Sequence, residues 1–79
     1  MKNCYVVMWR TEGFMDFSVF SSLARANDVF DKIKKRFNLE ESEHTWYVRE
    51  AYGKGHASTK SGDGSLYMIK KTINFNSII

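Results

Sequence analysis

The sequence predicts an α+β domain: one four-stranded, mainly antiparallel sheet with a single helix packed on one face, in the order β-β-α-β-β. Three observations predict it. Apolar residues alternate with polar ones toward both ends of the chain, and in the middle they recur every three to four positions. With 79 residues there is room for one domain only. We therefore expect residues 1–79 to form a single small domain.

The first two strands are predicted to form a hairpin. The run CYVVMW (residues 4–9) is β-branched and aromatic, and the turn-like TEG (residues 11–13) follows it. In the next run, FMDFSVF (residues 14–20), Met15, Phe17 and Val19 alternate with polar residues. We expect these three to pack beneath the helix, which leaves Asp16 and Ser18 on the other face.

The helix is predicted from apolar residues at positions 23, 26, 30, 33 and 37, which fall on one helical stripe. Ser21 or Ser22 is the expected N-cap, and Asn38 is the expected stop. On the outer face the spacing predicts two ion pairs of the favourable i, i+4 order. They are Asp28 with Lys32 and Asp31 with Lys35.

The second hairpin is predicted from TWYVREAY (residues 45–52) and SLYMIKKTINF (residues 65–75). The connection between them, residues 53–64, is rich in glycine, serine and lysine and long for a hairpin. Two interpretations stay open: a flexible loop that orders on binding, and a preformed phosphate cradle. The segment has neither the GxxxxGK[ST] spacing of a nucleotide loop nor a following helix.

The residue inventory disfavours catalysis and metal binding. The chain has one cysteine, Cys4, and two histidines, twelve positions apart, and no nucleophile motif or paired carboxylates. We expect no enzymatic activity, no cofactor and no metal. No apolar run approaches the length of a membrane span, and a single cysteine permits no internal disulfide, so we expect a soluble, cytoplasmic protein.

The charge of the chain is unevenly distributed. Residues 1–43 carry seven basic and seven acidic groups, whereas residues 44–79 carry five basic and two acidic ones, which is the whole net +3. Aromatic residues are interleaved with these cations, as on surfaces that bind phosphates and stack bases. Lysines that protect an edge strand would give the same composition. The predicted partner- or anion-binding residues are Arg49, Tyr52, Lys54, His56, Lys60, Tyr67, Lys70 and Lys71.

Two binding functions remain open. The first is a small interaction protein, of the kind phages and other mobile elements encode to dock on and inhibit a host defence or nucleic-acid-processing protein. The second is direct binding of a nucleic acid or nucleotide through the basic hairpin and its loop. A net charge of only +3 favours the protein partner. Leftover apolar surface, including the tail from Phe75 to Ile79, also predicts a homodimer.

Overall fold

The structure is a computed structural model that describes residues 2–73. It confirms the α+β class and the four-stranded antiparallel sheet, whose strand order is β2-β1-β4-β3, but two helices accompany the sheet where one was predicted. The predicted end of the last strand at Phe75 and the isoleucines of the tail lie outside the described residues. The elements are β1 (Lys2–Thr11), β2 (Phe14–Phe20), α1 (Leu23–Arg36), α2 (Glu43–Tyr52), β3 (Gly55–Ser58) and β4 (Ser65–Ile73).

The first hairpin forms as predicted. Its turn consists of Glu12 and Gly13, and Gly13 has a φ of 74°, which a glycine adopts without strain. Thr11 pairs with Phe14 across this turn, and the pairing continues without interruption to Tyr5 opposite Phe20. The short turn therefore fixes which residues of β2 share a face with which residues of β1.

The structure also confirms the helix that was predicted from the apolar stripe, as α1. The side chain of Ser22 accepts a hydrogen bond from the N–H of Arg25 at 3.4 Å, and Asn38, just past the helix, has a φ of 54°. The predicted pair of Asp28 with Lys32 forms at 3.0 Å.

The prediction that Asp31 pairs with Lys35 was wrong. The Asp31 carboxylate instead contacts Lys34 at 3.4 Å and Arg49 of α2 at 2.7 Å.

The prediction of a third strand over residues 45–52 was wrong, because this segment belongs to helix α2. Ser42 caps the helix by accepting the N–H of Thr45 at 3.1 Å, and Gly53 ends it with a φ of 72° and a hydrogen bond to the carbonyl of Arg49. A Cβ on Gly53 would lie 2.6 Å from the Tyr5 ring, so the close approach of helix and sheet also requires glycine. The capping interactions at both ends favour a helix more strongly than the apparent alternation of eight residues favours a strand.

The predicted single connection over residues 53–64 contains a strand. Gly55–Ser58 forms β3, which pairs antiparallel with β4, and only residues 59–64 join the two strands. The turn is closed by hydrogen bonds from the Thr59 N–H to the Gly64 carbonyl and from the Gly64 N–H to the Thr59 hydroxyl. The composition that predicted a loop thus belongs to a short edge strand and a six-residue turn.

The hydrophobic core lies between the helices and one face of the sheet. Val7 of β1 and Leu66 and Met68 of β4 provide its sheet side, and Ala26 and Phe30 provide its helix side. Of the described helices, neither is both long and apolar enough to cross a bilayer. Both helices pack on the same side, and within residues 2–73 no element covers the opposite face of the sheet.

Candidate functional site

The uncovered face of the sheet is the candidate site, and we call it the open face. Residues directly opposite each other on neighbouring strands share a face, and Met8 of β1 lies opposite Phe17 on one side and Tyr67 on the other. Since side chains alternate along a strand, this fixes the rest of the face. The side chains placed on the open face in this way are those of Lys2, Cys4, Val6, Met8, Arg10, Met15, Phe17, Val19, His56, Ser58, Ser65, Tyr67, Ile69 and Lys71.

Large apolar side chains are exposed next to one another on the open face. Met15 is 76% exposed, Phe17 63% and Val19 55%, all on β2, and Tyr67 of β4 is 43% exposed. Single exposed apolar residues are ordinary on protein surfaces, whereas a contiguous group marks an interaction site.

The prediction that Met15, Phe17 and Val19 pack beneath the helix was therefore wrong. Val7 is fully buried in the core, and the register of the first hairpin places Ser18 directly opposite it. The polar residues of β2 consequently lie on the helix side. Because β2 is the outermost strand, only its end at Phe20 packs against the core.

Two shallow grooves shape the open face, and both include Met8 and Met15. One has a volume of about 200 Å³ and is also lined by Trp9, Arg10 and Tyr67. The other has a volume of about 220 Å³ and is also lined by Asp16 and Phe17. Both are smaller than the usual cavity of roughly 300–1,000 Å³ for a small ligand. Grooves of this size fit single side chains of a macromolecular partner.

Cations lie at both ends of the apolar part of the open face. Lys2, Arg10 and Lys71 lie on it and are exposed. Asp16, the acidic residue of β2, lies opposite Trp9 on the helix side, but it also lines the groove with Met15 and Phe17 at the β2 edge of the open face. The open face is thus an apolar surface with a positive rim.

Three of the predicted site residues lie on the open face. The rings of His56 and Tyr67 lie with centroids 4.7 Å apart and an interplanar angle of 35°, and Lys71 follows further along β4. Lys70 is exposed too, but it pairs with Tyr5 and so lies on the helix side.

The remaining exposed residues of the predicted set lie elsewhere. Tyr52 ends α2, and Lys54 lies between α2 and β3. Lys60 lies in the turn between β3 and β4, with its ammonium 3.7 Å from a carboxylate oxygen of Glu40. The predicted residues therefore do not form one surface.

Arg49 was predicted to contact a partner, but the structure places it in the interior. Its side chain is fully buried and donates to Glu41 at 2.9 Å, to Asp31 at 2.7 Å and to Asn27 at 2.9 Å. Its guanidinium carbon also lies 4.4 Å from the centre of the Phe30 ring. The reason is the helical conformation of residues 43–52, which turns this side chain toward α1. Arg49 thus joins the helices and is inaccessible to a ligand.

Metal binding finds no support within residues 2–73, where no three His, Cys, Asp or Glu side chains converge. Comparisons of the chain with protein-family models, with curated proteins and with solved structures give no match.

Sequence reasoning missed the apolar residues of the open face, Met8, Met15, Phe17 and Val19. One signal was available. The run CYVVMW is apolar at every position, so β1 has an apolar surface on both faces, while helices on one side can bury only one of them.

Proposed function

We propose that this chain is a non-enzymatic interaction protein that docks on a larger protein through its open face. The partner class expected from the sequence, a host defence or nucleic-acid-processing protein, fits this mode of action. A domain that covers the working surface of such a protein inhibits it without chemistry of its own.

The observation that carries the proposal is the contiguous exposure of Met15, Phe17 and Val19 beside Tyr67. Each of these side chains leaves apolar surface in contact with water. The folded chain therefore forgoes about 25 cal/mol of stabilisation for each Å² of that area. A small domain has little stability to spare, so such a surface is expected to be retained for binding. Methionines add adaptability, because an unbranched thioether fits partner surfaces of different shape.

The partner surface should be an apolar projection surrounded by carboxylates. Its apolar side chains would enter the two grooves around Met8 and Met15, and its acidic groups would face Lys2, Arg10 and Lys71. Interfaces of this kind combine an apolar centre with a charged rim, and the rim mainly sets association rate and specificity.

Photo-crosslinking tests the proposal. The chain contains four methionines, of which Met8 and Met15 lie on the open face and Met68 is 2% exposed in the core. A chain synthesised with a diazirine analogue of methionine therefore carries reactive groups on the proposed interface and an internal negative control. After irradiation in an extract of its own cells, we expect one dominant protein attached at Met8 or Met15 and none at Met68.

Matched variants then decide whether the open face causes the binding. Met8→Glu introduces a carboxylate at the centre of the face and should weaken binding to the purified crosslinked protein by at least about tenfold, or 1.4 kcal/mol. Tyr47→Glu makes a comparable change on α2, where the side chain is 59% exposed, and should leave affinity unchanged. Equal affinity of both variants and the parent chain would refute the proposal.

Direct nucleic-acid binding is the second candidate, favoured by the adjacent His56 and Tyr67 rings on the face that also carries Lys71. Aromatic rings beside cations are the usual platform for unpaired bases. The aliphatic residues Val6, Val19 and Ile69 on the same face favour protein instead. Titration with single-stranded DNA and RNA at two salt concentrations separates the two, because phosphate contacts weaken steeply as salt rises. Micromolar binding at physiological salt, abolished by Tyr67→Ala, would reverse the order.

A further inference from the structure

We infer that the outer edge of β2 pairs with β2 of a second copy of the chain, antiparallel and centred on Phe17, so that two sheets join into one. The pairing uses the edge of the sheet, so it partly covers Met15, Phe17 and Val19 and leaves Met8 and Tyr67 free. Its test uses substitutions on the helix side of β2, so a failure of this inference can be distinguished from a failure of the proposed function.

The edge of β2 is available for pairing over its whole length. In the described sheet β2 is an outer strand, and no strand lies on its far side. A two-residue turn makes Thr11 and Phe14 a hydrogen-bonded pair, so by alternation the N–H and C=O groups of Met15, Phe17 and Val19 point outward. The hydrogen bond of the Phe17 N–H to its neighbouring Asp16 carboxylate, at 2.7 Å, agrees with this orientation.

β2 lacks most of the devices that block pairing at an edge. It contains no lysine and no proline, its register with β1 shows no bulge, and its one charge is Asp16. The other edge of the sheet is different. β3 has only four residues, and Glu40 exchanges both backbone hydrogen bonds with Ser58 there. The unprotected edge is therefore the β2 edge.

The sequence of β2 is complementary to itself in this register. A two-fold axis at Phe17 places Phe17 opposite its own copy and Met15 opposite Val19, so the apolar residues meet on the open-face side. On the helix side Asp16 lies opposite Ser18 of the second copy. The Ser18 hydroxyl can donate to that carboxylate, which then releases the Phe17 N–H to the carbonyl of the opposite Phe17. No like charges face each other.

A second copy on the open face itself is disfavoured by charge. Lys2, Arg10 and Lys71 all lie there, so two open faces brought together would confront cations with cations, and Asp16 at the β2 edge is the one acidic residue of the described strands that lines a groove there. Pairing at the edge leaves Arg10 one strand away from the contact.

Charge substitutions on the helix side of β2 test the register without altering the open face. Ser18→Asp places carboxylates opposite Asp16 at both ends of the contact and should weaken dimerisation by at least about tenfold. Combining it with Asp16→Lys makes each pair opposite in charge and should restore or strengthen the dimer. Sedimentation equilibrium of the full chain at concentrations up to millimolar measures the effect, from a monomer mass of 9.2 kDa.

A contact observed by NMR between the two copies would test the antiparallel register centred on Phe17. In a sample mixing labelled and unlabelled chains, the α-proton of Asp16 should show an intermolecular NOE to that of Ser18, since opposed residues in this position lie closest. Thermal unfolding by circular dichroism verifies that each variant folds. A purely monomeric parent chain at millimolar concentration would overturn the inference, and so would a dimer that Met8→Glu dissociates and Ser18→Asp does not, because that dimer uses the open face.

Discussion

The guanidinium of Arg49 is held by acceptors from three parts of the chain. Asn27 and Asp31 belong to α1, Glu41 to the segment between the helices, and Glu50 to α2 itself. Glu41 is as buried as Arg49, with 1% of its side chain exposed. Lys34 also donates to Glu41, at 3.0 Å, so without Arg49 the buried carboxylate keeps one cation but loses two of its three hydrogen bonds.

We predict that Arg49→Met destabilises the chain by about 3 kcal/mol, since the buried Glu41 carboxylate keeps Lys34 but loses both hydrogen bonds from Arg49, and Asn27 loses its donor. Urea unfolding, monitored by tryptophan fluorescence, measures this change in the free energy of unfolding. The control is Lys32→Ala, which removes an ion pair whose side chains are 75% and 61% exposed and should cost less than about 1 kcal/mol. Equal effects of the two substitutions would show that the buried cluster contributes no more than the surface pair.

Among the elements, those with strong local signals were predicted correctly. The two-residue turn at Gly13 and the helical stripe of α1 with its cap at Ser22 depend on interactions close in sequence. α2 was missed because its stripe is weak and its buried residue is the charged Arg49. β3 was missed because a four-residue strand starting at glycine depends on pairing with β4, which the local sequence does not reveal.

The turn between β3 and β4 can be shortened. Replacing residues 60–63 by Asn-Gly joins Thr59 and Gly64, already bonded at 3.0 Å, through the favoured hairpin connection. We expect stability within about 1 kcal/mol of the parent, because a shorter loop loses less entropy on closing.

Replacing all of residues 53–64 by Asn-Gly should instead unfold the chain, since it removes β3 and the close contact at Gly53. Chemical denaturation of the two variants compares them. A shortened turn that abolished binding to the crosslinked protein would move the candidate site from the open face to this turn.

At the scale of the whole molecule, the alternation of apolar residues did not reveal which face of the sheet the helices cover. Both faces of β1 are apolar, so the pattern of β2 suggested burial of Met15, Phe17 and Val19. The outcome depends on how α1 packs on the sheet, with Phe30 in one core cluster with Val7 and Met68, and that is a property of the packed structure.

Two methionines test this assignment of faces. Met68→Ala should cost about 2–5 kcal/mol, because the side chain is 2% exposed and its loss leaves a cavity. Met15→Ala should change stability by less than about 1 kcal/mol, because this side chain is 76% exposed. Thermal or urea unfolding of the two monomeric variants at low concentration makes the comparison. The reverse order would place Met15 in the core.

The bridge between Glu40 and Ser58 gives the sheet two unequal edges. Strand pairing can propagate indefinitely only when each added molecule presents a fresh edge at its far end. Here the far end of every molecule is β3, whose outer side already bonds to its own chain at Ser58. A pair formed through the two-fold β2 contact would therefore present only two short, partly bonded β3 edges, which disfavours further growth into fibrils.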